Sequence, residues 1–473
     1  MRRSHFLLAG AVGIAGIAAM IGNRGGTPAE VQGAPLIAAG GSSSGAGGAG
    51  GAGNGAITGP VTQPGAGPVT GPAGVPETAG AARPATAAAL AELIDLDQLT
   101  LTASGDHYEA LLKDGRHAVL TLDPGLQAYA EKLLQEARAP RGAIVAMAPD
   151  GRILALAGRR GDERRGKRQP PTGPATAVAS AANGFDWRLA TDVWAPAASV
   201  FKLVTASALV AAGVDPSDKV CFHGGIRSVL ESNLHDDKRD SRCESLLYGV
   251  AHSNNAILGK LAFQKLAPEA LSKLARTLGL MDVLPGSELR GSAGAMDLPV
   301  AHDLSFAQAA AGFAGSQLSA VGGALLAATF ADDGEQPVPR LVASIDGVAQ
   351  AVPPRRRAVT AEIAKAVGKM MMATCEIGSA AKSFGRHQAI HVAGKTGTLT
   401  RTEPFYMEHS WFVGYAPAEQ PEIVVSVVLG NPENWHLRGH EAARRLIDRA
   451  LRHANEHDKD RTVKVSSTRR VGW

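Results

Sequence analysis

A long stretch without large apolar side chains limits how much of this chain can fold around a core. Residues 24–88 are dominated by glycine, alanine, proline, serine and threonine, and they include the run GSSSGAGGAGGAGNG. Such a segment cannot bury enough apolar surface to offset the conformational entropy that folding removes, so we predict a flexible linker. One large folded domain over 89–455 therefore accounts for most of the 473 residues, and a polar, disordered tail over 456–473 follows it.

An apolar segment near the N-terminus indicates export. Residues 6–22 (FLLAGAVGIAGIAAMIG) carry no charged side chain, and Arg2 and Arg3 precede them. This pattern is typical of an export signal whose positive end stays in the cytoplasm. The run is short for a membrane-spanning helix but lacks a clear small-x-small cleavage site. We therefore favour a single-pass anchor over 1–23 in the cytoplasmic membrane, with the folded domain on the periplasmic side, and keep a cleaved signal as the alternative.

Net charge and cysteine content narrow the functional classes. The formal net charge of +4 is small for this length and does not indicate a nucleic-acid partner. The three cysteines, Cys221, Cys243 and Cys375, form no Cys-x-x-Cys metal motif. Export to an oxidising compartment allows disulfides to persist, and a bond between Cys221 and Cys243 would close and stabilise the polar loop between them. We predict a Cys221–Cys243 disulfide, with three free buried thiols as the alternative, and neither a metal site nor a cofactor.

Hydrophobic periodicity predicts an α/β fold whose antiparallel sheet is split in sequence. Residues 123–137 (DPGLQAYAEKLLQEA) have helical spacing, and GAIVAM and RILALAG form a hairpin around the turn at 148–151. Residues 203–380 are mostly helical by the same criterion. Three more strands follow in HVAGKTGT, HSWFVGYAP and EIVVSVVLGN, before a last helix in GHEAARRLIDRALR. We expect about five strands, two before a large helical insertion and three after it, flanked by helices.

A Ser-x-x-Lys motif opens an apolar helical run and is a candidate nucleophile with its base. Ser199 and Lys202 lie one helical turn apart on one face of the predicted helix. An amine can activate a serine hydroxyl when burial or a second cation lowers the amine's pKa. A second copy of the motif, at Ser379 and Lys382, opens no long helix. We interpret that copy as a surface turn.

Two later motifs complete an ordered set. Ser253–Asn255 precedes a helical run, and by itself it would be interpreted as an ordinary helix cap. Lys395–Thr398 lies within a predicted strand, where a glycine often marks close approach of a ligand or another backbone. Its ammonium and hydroxyl groups could bind a carboxylate, and its lysine could be the second cation. A chance origin is hard to maintain for all three motifs in this order.

This ordered set resembles the three active-site motifs of penicillin-binding protein transpeptidases, which serine β-lactamases share. The resemblance extends over about 120–450, because the first helix, the first hairpin and the last two strands are also similar to those of the family. It implies a β-lactamase/transpeptidase-like fold. Trp411, in the strand HSWFVGYAP, is a family feature that we assign to the core.

The resemblance implies catalytic roles for four of the motif residues. Ser199 would attack the carbonyl between two terminal D-alanines, and Lys202 would be the base for this acylation. Ser253 would relay a proton to the departing amine. Asn255 would hydrogen-bond the backbone of the substrate.

The resemblance also implies a site for the substrate's terminal carboxylate. The residues involved would be Lys395, with a catalytic contribution as well, and the neighbouring Thr396, Gly397 and Thr398. The backbone N–H groups of Ser199 and Thr398 would form the oxyanion hole, which is often the largest electrostatic contribution in acyl transfer.

The function that follows is that of a peptidoglycan D,D-transpeptidase, with stem peptides as substrates, β-lactams as covalent ligands and wall-synthesis proteins as candidate partners. A D,D-carboxypeptidase, which uses water as acceptor, and a serine β-lactamase are the enzymatic alternatives. A non-catalytic β-lactam sensor or wall-assembly scaffold is the alternative from another class. The sequence departs from the family ahead of the domain, because a linker stands where other members carry a glycosyltransferase or pedestal domain.

Overall fold

The computed structural model describes residues 87–161, 184–280, 283–284, 287–385, 390–403 and 406–452. The predicted anchor over 1–23, nearly all of the predicted linker and the predicted tail over 456–473 lie outside these residues. The first described helix begins at Ala87, two residues before the predicted start of the folded domain. Within the described part of the chain, no helix combines the length and the hydropathy needed to cross a membrane.

Twelve α-helices lie within the described residues. They are α1 (Ala87–Leu93), α2 (Pro124–Ala137), α3 (Arg188–Thr191), α4 (Lys202–Ala211), α5 (Leu246–Ala251), α6 (Asn255–Lys265), α7 (Pro268–Thr277), α8 (Leu304–Ala310), α9 (Ala320–Ala331), α10 (Ala361–Glu376), α11 (Ala381–Phe384) and α12 (439–452). The predicted first helix is confirmed as α2, which Asp123 caps by accepting a hydrogen bond from the backbone N–H of Leu126. The predicted last helix is confirmed as α12.

Seventeen strands lie within the same residues, and most of them are short. They are β1 (Thr100–Leu101), β2 (Tyr108–Leu111), β3 (His117–Leu120), β4 (Arg141–Met147), β5 (Ile153–Arg160), β6 (Ala195–Pro196), β7 (Lys219–Phe222), β8 (Arg242–Ser245), β9 (Gly294–Met296), β10 (Ser316–Leu318), β11 (Glu335–Gln336), β12 (Val342–Ile345), β13 (Val348–Ala349), β14 (Arg356–Arg357), β15 (Ala393–Arg401), β16 (Met407–Ala416) and β17 (Ile423–Asn431).

The five longest strands form one antiparallel sheet, which confirms the predicted split sheet. Its order is β15-β16-β17-β4-β5, so the N-terminal hairpin joins the C-terminal three strands through the pairing of β17 with β4. The central strand β17 (IVVSVVLGN) is rich in valine and isoleucine and is buried along its whole length, as suits a pleated strand that is covered on both faces. The strand β15 is at the edge, and this edge carries the Lys395–Thr398 motif.

Helices cover both faces of this sheet, and the alternation of side chains along each strand supplies both cores. On one face, Val145, Trp411 and Val413 belong to the larger core, which includes buried residues of α4, α9 and α10. On the other face, Ile144 and Phe412 pack with the buried residues of α2 and α12. Trp411 is fully buried, as predicted. Burying each large side chain contributes about 1.5–3 kcal/mol, so packing on both faces stabilises the sheet to which the edge strand belongs.

Helices are the main regular secondary structure over 203–380, in line with the prediction, but the segment also contains eight short strands, β7 to β14. Two of them, β12 and β13, complete a second antiparallel sheet of order β1-β2-β3-β12-β13, which the sequence analysis did not predict. Each strand of this sheet is two to four residues long. Strands this short carry too few alternations to produce a recognisable period.

The predicted disulfide is present. Cys221 and Cys243 are register partners in the β7–β8 hairpin and are joined, so the bond closes the base of the loop between these strands. Cys375 is a free cysteine that is buried in α10. Loop closure of this kind reduces the entropy of the unfolded chain and so stabilises the folded state.

Candidate active site

A strained turn presents Ser199 at the start of α4. The preceding strand β6 pairs with β10, and a 3-10 turn over Ala198–Phe201 leads directly into the helix. Ala198 has a φ of 49°, a left-handed conformation that costs a non-glycine residue about 1–3 kcal/mol. The loop that contains Gly312 packs against this turn, because a Cβ on Gly312 would lie 2.1 Å from the carbonyl oxygen of Ala198. The surrounding structure therefore fixes the orientation of Ser199.

Lys202 is fully buried, and its amine contacts three polar atoms. Nζ lies 2.8 Å from Ser199 Oγ, 2.8 Å from Asn255 Oδ1 and 2.6 Å from the carbonyl oxygen of Ala311. The two carbonyl-type oxygens can only accept hydrogen bonds, so a neutral amine would direct its two N–H groups at them. Its lone pair would then point at the hydroxyl of Ser199. This is the geometry of a base in contact with a nucleophile.

Burial favours the neutral form of this amine. Desolvation lowers the pKa of Lys202 well below its usual value, and the nearby cation of Lys395 lowers it further. Burial and a second cation are the two causes that were predicted for an active lysine, and both operate here. The hydroxyl of Ser199 is half-buried, so a ligand can still reach it.

The amide of Asn255 is oriented by a neighbouring loop. Nδ2 of Asn255 donates to the carbonyl oxygen of Ile226 over 3.1 Å, and its backbone N–H donates to Gly225 over 3.0 Å. These bonds leave Oδ1 facing Lys202. The loop lies between β7 and β8 and is closed by the disulfide. The carbonyl oxygens of Ile226 and Ala311 could not be predicted from sequence, because residue identity does not indicate which backbone acceptors face a site.

Ser253 occupies the short connection between α5 and α6 and faces β15. Asn254, not Ser253, caps α6 by accepting from the backbone N–H of Ile257 over 3.0 Å. Capping therefore explains the middle residue of this motif and leaves the other two for the site. Ser253 has a φ of 55°, so it is a second strained non-glycine residue here. Its Oγ accepts a hydrogen bond from Lys395 Nζ over 3.1 Å.

The edge strand β15 passes close to the turn that carries Ser199. A Cβ on Gly397 would lie 3.3 Å from the backbone nitrogen of Val200, so a glycine permits this approach. Lys395 is fully buried, and its Nζ also donates to the carbonyl oxygen of Thr396 over 2.9 Å. Burial lowers the pKa of Lys395 to about 7. A partly protonated amine at this position can supply positive charge to an anionic ligand.

Two threonine hydroxyls complete the motif on β15. Thr396 and Thr398 are two residues apart in a strand, so both side chains project from the same face. Thr396 is half-buried and Thr398 is exposed. They are therefore available to a ligand at this edge of the sheet. The two hydroxyls can donate to a carboxylate, which only accepts hydrogen bonds, and the amine of Lys395, 2.9 Å from the carbonyl oxygen of Thr396, can supply positive charge beside them.

The structure thus brings the three motifs together around one half-buried hydroxyl. One hydrogen-bonded group contains Ser199, Lys202 and Asn255, and a second contains Ser253 and Lys395. The chemistry that such groups can perform is acyl transfer through a serine ester, with an amine as base and a cation for substrate anchoring.

Comparison with known proteins gives consistent matches. Residues 142–450, more than half of the chain, match the family model described as the penicillin binding protein transpeptidase domain. The chain is 26% identical over 249 residues to peptidoglycan D,D-transpeptidase PbpA of Mycobacterium tuberculosis, covering 50% of this chain and 50% of that protein. It is 26% identical over 376 residues to penicillin-binding protein PbpB of the same organism, covering 70% of this chain and 50% of that protein. The chain therefore spans about half the length of these relatives.

Solved structures share the fold. The imipenem acyl-enzyme complex of penicillin-binding protein A from M. tuberculosis superposes with a TM-score of 0.56 at 24% identity, covering 71% of this chain and 80% of that one. Penicillin binding protein 3 from M. tuberculosis, complexed with aztreonam, superposes with a TM-score of 0.57 at 22% identity, covering 73% of this chain and 80% of that one. At these identities, the likeness establishes a common fold.

Proposed function

This chain belongs to the penicillin binding protein transpeptidase domain family, and we propose that it is a peptidoglycan D,D-transpeptidase that forms an acyl-enzyme on Ser199. The activity named for the relative PbpA is the one extended to this chain. One observation carries the proposal, the 2.8 Å contact between buried Lys202 Nζ and Ser199 Oγ. Burying a lysine is costly, and a purely structural site would pair its amine with a carboxylate. None of the three hydrogen-bond acceptors of Lys202 is a carboxylate.

Acylation begins with the hydroxyl of Ser199. Its oxygen attacks the carbonyl carbon of the peptide bond between the two terminal D-alanines, and the hydroxyl proton moves to the neutral amine of Lys202. The tetrahedral intermediate carries negative charge on the former carbonyl oxygen. The backbone N–H groups of Ser199 and Thr398 are the proposed donors to this oxygen, since β15 runs beside the nucleophile turn.

The leaving group departs when the carbon–nitrogen bond breaks. The nitrogen of the terminal D-alanine must gain a proton, and Ser253 is the proposed donor, with replacement of its proton from Lys395. Lys395, Thr396 and Thr398 bind the carboxylate of this D-alanine, while Asn255 contacts the peptide backbone. The products are free D-alanine and an ester of Ser199.

The acceptor decides between the proposed function and the carboxypeptidase alternative. The experiment incubates the full chain with a D-alanyl-D-alanine peptide and a second D-amino acid as acceptor, and quantifies exchange and hydrolysis products. A transpeptidase is expected to form the exchange product faster than the hydrolysis product. Hydrolysis alone, at every acceptor concentration, would support a carboxypeptidase, and neither product would contradict both.

β-Lactams are the proposed covalent ligands of the same site, as imipenem is for penicillin-binding protein A. Opening of the lactam ring by Ser199 gives an ester from which no leaving group departs, so the ester persists unless water is activated. The rate at which a penicillin adduct is lost distinguishes the proposed function from a β-lactamase. We expect the penicillin adduct to persist for hours after acylation is complete, whereas loss of the adduct within seconds would favour the β-lactamase.

Acylation by a penicillin is expected to have a bell-shaped dependence on pH. The second-order rate constant should rise as Lys202 loses its proton, and fall with an apparent pKa near 7 as Lys395 loses its charge. A matched variant, Lys395→Arg, should remove the falling limb, because a guanidinium stays charged to a pH of about 12. A rate constant that does not change between about pH 5 and pH 9 would contradict these roles.

The cellular setting is part of the same proposal. Residues 6–22 anchor the full chain in the cytoplasmic membrane with the domain on the periplasmic side, where stem peptides are found, and wall-synthesis proteins are candidate partners. Release of the full chain from membranes by alkaline carbonate would contradict the anchor.

A further inference from the structure

The second Ser-x-x-Lys motif lies next to the site. Ser379 is exposed in the turn between α10 and α11, which agrees with its interpretation as a surface turn. Its side chain, however, faces β15. The Oγ of Ser379 lies 2.6 Å from Oγ1 of Thr396, the second residue of the Lys395–Thr398 motif. This contact was not predicted from the sequence, and Ser379 has no role in the function proposed above.

The surrounding backbone holds Ser379 in place. Its N–H donates to the carbonyl oxygen of Ala251 over 2.9 Å, and Ala251 is the last residue of α5, two residues before Ser253. Gly378 lies against the same carbonyl, because a Cβ on Gly378 would be 2.1 Å from that oxygen. The turn is therefore wedged between the connection that carries Ser253 and the edge strand that carries Thr396.

Two adjacent hydroxyls provide what a bound carboxylate needs. In a pair 2.6 Å apart, one hydroxyl donates to the other, and the second keeps a hydrogen for an external acceptor. The donated bond also polarises its partner and strengthens the external bond. Because Ser379 is exposed and Thr396 is half-buried, a ligand that reaches Thr396 from solvent also meets Ser379.

We propose that Ser379 is a substrate-binding residue that supplies a third hydroxyl for the terminal carboxylate of the peptide and for the carboxylate of a penicillin. The inference rests on the proposed function, since it assigns the carboxylate to Thr396 and Thr398. Lys382, the other half of the second motif, has no part in it. Lys382 is exposed in α11 and serves as the matched control.

The test compares a ligand that has the carboxylate with one that lacks it. The second-order rate constant for acylation is measured with benzylpenicillin and with its neutral methyl ester, for wild type, Ser379→Ala, Ser379→Thr and Lys382→Ala. We expect Ser379→Ala to lower the acylation rate constant for benzylpenicillin roughly 10-fold, which corresponds to the loss of one hydrogen bond to a charged group. The rate constant for the ester should fall less than about 2-fold. Ser379→Thr should restore most of the loss, and Lys382→Ala should match wild type.

Three results would overturn the inference. The first is an unchanged constant for benzylpenicillin in Ser379→Ala. The second is an equal loss for the acid and the ester, which would assign Ser379 a structural role. The third is a loss in Lys382→Ala as large as in Ser379→Ala. Failure of benzylpenicillin to acylate wild type is distinguishable from all three, because it would overturn the proposed function and the inference with it.

Discussion

Replacement of Ser199 by alanine is expected to abolish acylation and to lower the rate of D-alanine release on the order of 10⁶-fold. A loss of this size is typical when a serine nucleophile that acts together with its base is removed. Ser199 Oγ would form the ester, and Lys202 Nζ, 2.8 Å away, is fully buried and cannot reach a substrate in its place. Oxyanion donors and binding residues remain in the variant and account for any residual rate. The measurement is single-turnover release of D-alanine from a D-alanyl-D-alanine peptide.

A second serine in the same helix is the control for this variant. Ser207 lies in α4 and is fully buried, and its Oγ donates to the carbonyl oxygen of Leu203 over 2.8 Å. Ser207→Ala also removes a hydroxyl from α4, but it should retain D-alanine release within about 3-fold, since a single backbone hydrogen bond of this kind contributes about 1 kcal/mol to stability. Substantial turnover by Ser199→Ala would contradict the assignment of the nucleophile.

Replacement of Lys202 by methionine is the second variant with a large expected effect. Methionine has a similar length but no basic group, so Ser199 would lose the acceptor for its proton. Loss of a general base typically costs 10²–10⁴-fold, and we expect a loss of about 10³-fold or more in the acylation rate constant with a penicillin. The adduct, once formed, should still be on Ser199. The measurement is the time course of the adduct by intact-protein mass spectrometry.

The control for Lys202→Met is the same change at the other lysine of the duplicated motif. Lys382 is exposed, so Lys382→Met should leave the acylation rate constant within about 2-fold of wild type, as for most surface substitutions. Acylation of Lys202→Met at the wild-type rate would exclude Lys202 as the base. It would then assign proton removal to another group, with Lys395 as the next candidate because burial also lowers its pKa to about 7.

The sheet could be predicted from sequence because its strands are long. The strands β16 and β17 contain ten and nine residues, so their apolar composition and turn boundaries are clear in the sequence. The second sheet could not be predicted from sequence, because its strands are short and two of its paired strands lie far apart along the chain. Residues of β3 such as Ala118 pair with residues of β12 such as Ile345, more than 200 positions later in the chain. Local patterns carry no information about such partners.

The side chains of the site could be predicted for a different reason. Two serine hydroxyls, two amines and an amide at defined spacings restrict the chemistry, and their order along the chain restricts it further. What escaped prediction depends on tertiary structure: the carbonyl oxygens of Ala311 and Ile226, and the contact of Ser379 with Thr396. The left-handed conformations of Ala198 and Ser253 also escaped it, because neither residue type indicates a positive φ.

Peptide mapping of a penicillin adduct tests the central claim most directly. The full chain is treated with benzylpenicillin, digested with trypsin and analysed by mass spectrometry. We predict one modified peptide, residues 189–202 (LATDVWAPAASVFK), with the added mass of benzylpenicillin on Ser199. An adduct on residues 370–382 (MMMATCEIGSAAK), which contain Ser379, or the absence of any adduct, would contradict the assignment of Ser199 as the nucleophile.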